Sequence, residues 1–267
     1  MNPENSRAEN GQGPLLRLFY KFGAIALFVL LWQLACAAGL APETFVASPI
    51  VIAKTLWQYA TDGSLYRHSV ISLSRAFYGF LLAVAAGVPL GFLLGGWFRN
   101  FERVMGPLLY FLSQFNPFAL FSVFLLLFGI GEFSKVAMIF WVSIWPMVHN
   151  AALGVRSVDP LHVKVARSLG TGKLRLLWKI VLPSSATYLF AGLRLAAGTA
   201  FFMLIPAEMM GASRGLGWLI INAQVNYQIP KLYTGTLAIV VFGMLMDAFF
   251  RLLERRVVVW KEAKCQP

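Results

Sequence analysis

A GTGK tetrapeptide at residues 170–173 is the stretch of this chain that first suggests chemistry, because glycine-rich loops ending in lysine can hold phosphate groups. It lies within DPLHVKVARSLGTGKLRLLWKIVLPSS, residues 159–185, where basic side chains interrupt long apolar stretches. Three roles are open for this run: a phosphate-binding loop, a solvated surface helix, and a docking element for another protein.

The spacing of the residues around GTGK excludes a phosphate-binding loop. A P-loop, G-x-x-x-x-G-K-[ST], requires a glycine five residues before its second glycine and a hydroxyl side chain after its lysine. Here Arg167 stands five residues before Gly172, and Leu174 follows Lys173. Motifs for nucleophilic or metal-dependent hydrolysis are also absent from the sequence, and His149 has no second ligand at metal-binding spacing. We therefore predict no catalytic residue, metal or cofactor on this chain.

The first half of the run is predicted to form a short helix with an apolar face. Asp159-Pro160 is typical of a helix start, and Gly170 of an end in the left-handed conformation. Leucine and valine recur every fourth residue between them, which places them on one side of the helix: Leu161, Val165 and Leu169.

A second short helix is predicted after it, capped by Thr171 and ended by Leu182-Pro183. Its apolar stripe contains Leu174, Leu177, Trp178 and Val181, while Lys173, Arg175 and Lys179 face water or lipid phosphates. An interfacial position on the membrane would cover this second helix but would leave the apolar face of the first one uncovered. That difference favours a docking element.

The composition indicates the kind of protein that presents this run. Hydrophobic residues make up 58% of the chain, charged residues 13%, and the mean hydropathy is +0.69, which is typical of a polytopic membrane protein. We expect an all-α membrane helical bundle. The net charge of +12 is scattered between apolar spans, which favours contact with anionic membrane lipid and not with nucleic acid.

Crossing a bilayer takes about 20 apolar residues per helix. About six membrane spans are predicted: 22–40, 70–95, 106–128, 136–156, 186–206 and 233–253. They form one transmembrane domain at 22–260, with tails at 1–21 and 261–267. Basic residues predominate on the side that carries both tails and the 157–185 loop, which predicts that this side is cytoplasmic.

Polar residues inside the predicted spans need partners, because charges in a bilayer are costly. Arg194 and Asp247 are predicted to form an ion pair, although a gate or a proton relay stays open for them. Glu208 is expected to cap the following GLGWLI segment or to help close an outer gate. Small residues every fourth position predict close helix packing: Ala83, Gly87, Gly91 and Gly95.

A polar cluster precedes Pro117 in the third span: Ser113, Gln114 and Asn116. Irregular polar backbone at membrane depth is tolerated where it is buried or lines a cavity. Lining of a translocation path and hydrogen bonding between helices are both compatible with this cluster.

Several motifs resemble one family of transport proteins. The order A-x-x-x-G, nine residues, then I-x-L-P resembles the EAA loop of permease subunits of ATP-binding-cassette importers, with Ala166, Gly170, Ile180, Leu182 and Pro183 at its positions. The stretches SLSRAFYGFLLAVAAGVPLGFLLGG, FGIGEFSK, LFAGLRLAAGTAFFMLIPAEMMGASRGLGWLI and ERRVVVW are similar to the nitrate, sulfonate and taurine branch of that family.

The resemblance implies a type I importer permease in a bacterial inner membrane, paired as a homodimer around a pathway for a small anion such as sulfonate, taurine or nitrate. It implies two partner ATPases that bind ATP and Mg²⁺, and a solute-binding protein outside. The loop around Arg167, Gly170 and Lys173 then couples the permease to the ATPase. Where the family has Glu-Ala-Ala, this chain has Lys164-Val165-Ala166, so we expect a steric and apolar contact there.

Two other classes remain open on the residues alone. A proton- or ion-coupled secondary transporter would use Arg194, Asp247 and Glu208 as a charged relay. A membrane scaffold without transport would need neither the polar cluster in the third span nor a docking loop.

Overall fold

The computed structural model describes residues 14–40, 42, 45–97 and 99–257, so residues 1–13 and 258–267 of the predicted tails lie outside it. Within that part of the chain, eleven α-helices and two π-helical turns are present and no strand, which confirms the predicted all-α class. The α-helices are α1 (Pro14–Ala37), α2 (Pro49–Thr61), α3 (Ser64–Phe92), α4 (Arg99–Ser113), α5 (Pro117–Phe128), α6 (Glu132–Arg156), α7 (Pro160–Ser168), α8 (Lys173–Leu176), α9 (Leu182–Met209), α10 (Leu216–Val225) and α11 (Ile229–Val257).

Helix α6 lies at the centre of the bundle, packed along α3 on one side and α9 on the other. Met147 and Ala151 of α6 and Ala196 of α9 are fully buried together, and Val84 and Val88 of α3 pack against them. Close packing of this kind gives three long helices one shared core.

The predicted small-residue stripe on α3 faces α6, which confirms its role in packing. A Cβ atom added to Gly87 would lie 3.0 Å from Cβ of Met147, and one added to Gly91 would lie 2.7 Å from the carbonyl oxygen of Val148. Ala83 is fully buried. The two helix backbones can approach this closely because the α3 side of the contact carries almost no side chain.

Gly91→Ala is expected to destabilise the chain by about 1–3 kcal/mol, because the added methyl group forces α3 away from the α6 backbone. Gly198 in α9 is the matched control, since a Cβ atom there meets nothing within 4 Å. Gly198→Ala should be neutral or slightly stabilising, because alanine favours a helix over glycine. Unfolding of both variants in detergent measures the difference; equal stability would contradict the packing account.

Four helical runs are long and apolar enough to cross a membrane: Ser64–Gly96, Glu132–Arg156, Leu174–Met209 and Ile229–Glu254. They correspond to four of the predicted spans. The apolar helix in the first predicted span, Gly23–Ala37, is shorter. The chain is thus a multi-pass membrane protein with four or five clear crossings among its described residues.

The third predicted span, 106–128, is not one continuous helix: α4 and α5 meet at an angle of 93°. Pro117 opens α5, and the Asn116 side chain caps it by accepting a hydrogen bond from the Phe118 N–H at 2.9 Å. Proline disfavours helical conformation in the residue before it and lacks the N–H that would continue the ladder. The polar cluster before Pro117 therefore sits at a bend.

The prediction that Leu182-Pro183 ends a short second helix is also wrong. Helix α8, the π turn Leu177–Val181 and α9 run on continuously, so the helix extends from Leu174 to Met209. Pro183 falls in the first turn of α9, directly after the π turn. Irregular turns of this kind re-satisfy backbone groups that a proline frees inside a helix. The predicted surface helix is thus the first part of a membrane span.

Candidate functional site

Helix α7 has the start and the end that its sequence predicts. The Asp159 side chain accepts a hydrogen bond from the Leu161 N–H at 2.8 Å. At the other end Thr171 N–H donates to the Ala166 carbonyl at 3.1 Å and Gly170 N–H to the Arg167 carbonyl at 3.0 Å. These two bonds form a Schellman motif, whose left-handed position is Gly170 with φ +74°.

One side of α7 is left uncovered, and we call Leu161, Val165 and Leu169 the docking face. Their exposed fractions are 62%, 50% and 79%, while Ala166 on the opposite side is 6% exposed. Among the described residues none covers this face. Three large apolar side chains projecting from a short loop helix are typical of a protein interaction site.

The loop that carries the docking face is anchored at its base. Ile180 packs against the buried cluster of Val155, Val158 and Val181. Arg156 at the end of α6 donates to the Glu102 carboxylate of α4 at 2.6 Å. These contacts tie the two ends of the loop to α4, α6 and α9.

The other predicted loop residues surround the docking face without forming a single site. Arg167 and Pro183 are exposed and Leu182 is half-buried, while the side chain of Lys173 lies outside the described part of the chain. Leu174, Arg175 and Trp178 line a separate hollow of about 560 Å³ next to Gly172.

A cavity of about 580 Å³ lies among α4, α6 and α9. Ser113 lines it together with Tyr110, His149 and Asn150. Gln114 and Asn116 are exposed beside it, and Gln114 donates to the Ser113 hydroxyl at 3.2 Å. The structure thus brings three of the predicted path residues to one bend at the edge of this cavity.

Glu208, the fourth predicted path residue, lies elsewhere: it is fully buried and forms an ion pair with Arg75. The Arg75 Nη1 donates to Glu208 at 2.7 Å and to the Arg214 carbonyl at 2.8 Å. Its Nε and Nη2 donate to the carboxylate of Glu132, the first residue of α6, at 2.5 and 2.6 Å. One guanidinium therefore joins α3, α6 and α9 to the segment before α10.

Glu208 and Ser72 also hold the start of α10. Glu208 accepts a hydrogen bond from the Gly217 N–H at 2.9 Å, which is the capping role predicted for it. Ser72 donates to Glu208 at 2.8 Å and accepts from the Leu216 N–H at 2.8 Å. The first two N–H groups of α10, on Leu216 and Gly217, therefore each have a buried side-chain acceptor in place of the backbone partner that a helix start lacks.

Sequence reasoning missed this network because it treated Arg75 only as a charge that sets orientation and assigned no role to Glu132. The sequence nevertheless contained a signal for this network. Three helices that must pack together carry charged residues at the same end: Arg75, Glu132 and Glu208. Opposite charges at matching depth predict pairing. The same argument was applied only to Arg194 and Asp247.

The structure brings Arg194 and Asp247 together, with Nε 2.9 Å from Oδ1. Asp247 also binds Arg251 at 2.5 Å, one turn further along α11. The Arg194 and Asp247 side chains are 42% and 39% exposed, so this cluster lies at the surface of the bundle. It has no hydrogen bond to Glu208.

Comparison with known proteins gives a consistent answer. Residues 87–259 match the family model described as "Binding-protein-dependent transport system inner membrane component". The chain is 33% identical to the putative aliphatic sulfonates transport permease protein SsuC of Bacillus subtilis (strain 168), over 89% of this chain and 86% of that one. It is 27% identical to the taurine transport system permease protein TauC of Escherichia coli (strain K12), over 96% and 95%.

The fold is also known from solved structures. A chain of the MetNI methionine ABC transporter in an inward-facing conformation superposes with a TM-score of 0.66 at 17% identity, covering 74% of this chain and 98% of that one. That similarity shows the type I importer permease fold.

Proposed function

The chain belongs to the family of binding-protein-dependent transport system inner membrane components, and from that membership we propose that two copies of it enclose the solute pathway of an anion importer. As a permease subunit of an ABC importer it is not an enzyme, since a separate subunit hydrolyses ATP. The relay that an ion-coupled transporter would need is not assembled here: Glu208 binds Arg75, while Arg194 binds Asp247.

The observation that carries the coupling role is the uncovered docking face on α7. We assign it to a cleft of the partner ATPase, where ATP and Mg²⁺ bind on the partner and not on this chain. Closure of the ATPase pair would draw the two copies of α7 together. Because the loop base is tied to α4, α6 and α9, that movement rotates the core of each bundle.

A second copy of the chain is the expected partner inside the membrane. One copy offers only half a pathway, in which Gln114 and Asn116 lie exposed and Ser113 half-buried at the bend between α4 and α5. Closed two-fold pairs are the most common assembly for such chains. Outside, a soluble solute-binding protein would deliver the solute to this pair.

The substrate class we propose is a small oxyanion, such as a sulfonate, taurine or nitrate. The relatives SsuC and TauC are named for aliphatic sulfonates and for taurine.

We place the protein in the bacterial inner membrane with both termini in the cytoplasm. The excess of Lys and Arg on the side of the 157–185 loop supports this orientation. It puts the docking face inside the cell and the Arg75 network at the outer end of the bundle.

This orientation predicts a labelling pattern. With native cysteines replaced, Ser64→Cys at the start of α3 should react with an impermeant maleimide added outside intact cells. Asn100→Cys at the start of α4 should react only after permeabilisation. The reverse pattern would contradict the orientation and, with it, the site of ATPase contact.

The coupling role is tested by co-expressing the chain with its ATPase and purifying through a tag on the permease. We expect the two to copurify, and the triple variant Leu161→Ser, Val165→Ser, Leu169→Ser to lose the ATPase while still reaching the membrane. If that variant retained the ATPase, the docking face would not be the site of contact with it.

A further inference from the structure

A second cleft, of about 520 Å³, opens at the end of the bundle that holds the Arg75 network. The start of α3 forms one wall, with Arg67 and His68. The segment that leads into α10 forms the other with Ser213 and Arg214, together with Trp218 in the first turn of α10. This cleft is separate from the cavity that Ser113 lines.

The lining of the cleft carries two positive charges and no carboxylate. Arg67 and Arg214 are exposed, and neither guanidinium has a hydrogen bond or an ion pair with any residue that the structure describes. The nearby Glu208 is fully buried and bound to Arg75, so it does not neutralise them. The cleft therefore presents uncompensated positive charge.

The position of Arg214 is fixed even though its guanidinium is free. Its carbonyl oxygen accepts a hydrogen bond from Arg75 at 2.8 Å. The next residue, Gly215, has φ +126°, a conformation that other residues rarely adopt. The backbone thus holds this arginine at the rim.

His68 adds an oriented donor. Its Nδ1 accepts a hydrogen bond from the Gly215 N–H at 3.0 Å, and its ring stacks on Trp218 with centroids 5.4 Å apart and planes at 16°. A neutral imidazole that accepts at Nδ1 carries its proton on Nε2. That N–H is therefore available to a bound acceptor.

We propose that this cleft binds a small oxyanion with a short apolar part before it enters the pathway. Two guanidinium groups and the His68 Nε2–H suit a sulfonate or similar group, because planar guanidinium forks bind oxyanions with two parallel hydrogen bonds. The indole of Trp218 offers an apolar surface to a short alkyl tail. The inference deepens the proposed function by giving this chain its own anion site on the outer side, and it rests on the orientation proposed above.

Binding of ethanesulfonate to the purified full chain in detergent tests the site by titration calorimetry. Arg67→Gln and Arg214→Gln should each weaken binding by about tenfold or more, since each removes charge-assisted hydrogen bonds. Lys54→Gln, which removes an exposed charge from α2, is the matched control and should leave binding unchanged. Arg67→Lys should bind with intermediate affinity, which excludes misfolding as the cause.

Choline chloride, a cation of similar size, should not compete. Equal binding by wild type and both glutamine variants, or competition by choline, would overturn the inference.

Measuring ATP-driven uptake by the assembled importer distinguishes failure of this inference from failure of the proposed function. If the importer takes up the anion but the glutamine variants bind it as tightly as wild type does, only the proposal that the cleft binds the anion is contradicted. If binding depends on the two arginines but the importer takes up no oxyanion, only the proposed substrate class is contradicted.

Discussion

Arg75→Met is expected to destabilise the chain by about 3–5 kcal/mol, because removing one partner of a buried ion pair leaves an uncompensated charge. Glu208 is fully buried and would keep only Ser72 and the Gly217 N–H as partners. Glu132 is different, since its side chain is 65% exposed and water can solvate it. Most of the lost stability therefore comes from leaving Glu208 without its cation. Unfolding in detergent measures the change in the free energy of unfolding.

Two further variants make this result specific. Glu208→Gln in the Arg75→Met background should restore part of the stability, because the buried group is then neutral. Arg194→Met should cost about 1 kcal/mol or less, since partly exposed ion pairs contribute little. If Arg75→Met costs no more than Arg194→Met and shows no coupling to Glu208→Gln, the buried network is not what holds α3, α6 and α9 at this end.

Gly170→Val is expected to abolish copurification of the ATPase. At φ +74° a β-branched side chain is strongly strained, although a Cβ atom there meets nothing within 4 Å. The strain would break the Schellman motif and change the direction in which the chain leaves α7. The docking face would then no longer sit where the cleft of the ATPase can receive it.

Gly170→Asn is the matched control, because asparagine tolerates the left-handed conformation, and it should keep the ATPase. Lys164→Ala should also keep it, since an exposed charge beside a desolvated contact contributes little. Loss of the ATPase in Lys164→Ala together with retention in Gly170→Val would show that the contact is electrostatic.

Features set by near neighbours in the chain were predictable from the sequence. The Asp159 cap and the Gly170 end of α7 depend on residues within one turn. The stripe that includes Gly87 and Gly91 depends only on helical periodicity. Each can be read without knowing which helix lies opposite.

Features that depend on partners distant in the chain were not predictable from the sequence. The two carboxylates that bind Arg75 lie 57 and 133 residues away in sequence, so their meeting depends on how three helices pack. Leu182-Pro183 follows the local rule for a helix end, yet the helix continues because Val181 is buried against Val155 and Val158. Tertiary packing overrode the local preference there. Asn116-Pro117 signalled a break, but not a bend of 93°.

Solute uptake by the assembled importer tests the central claim most directly. The chain would be reconstituted in vesicles with its ATPase and its solute-binding protein. The oxyanion that most stabilises that binding protein against heat would be supplied on the side of the binding protein. We predict uptake that requires ATP on the ATPase side, survives collapse of the proton gradient by an ionophore, and is lost with Gly170→Val. Uptake by this chain alone, without the ATPase and driven by a proton gradient, would contradict the account.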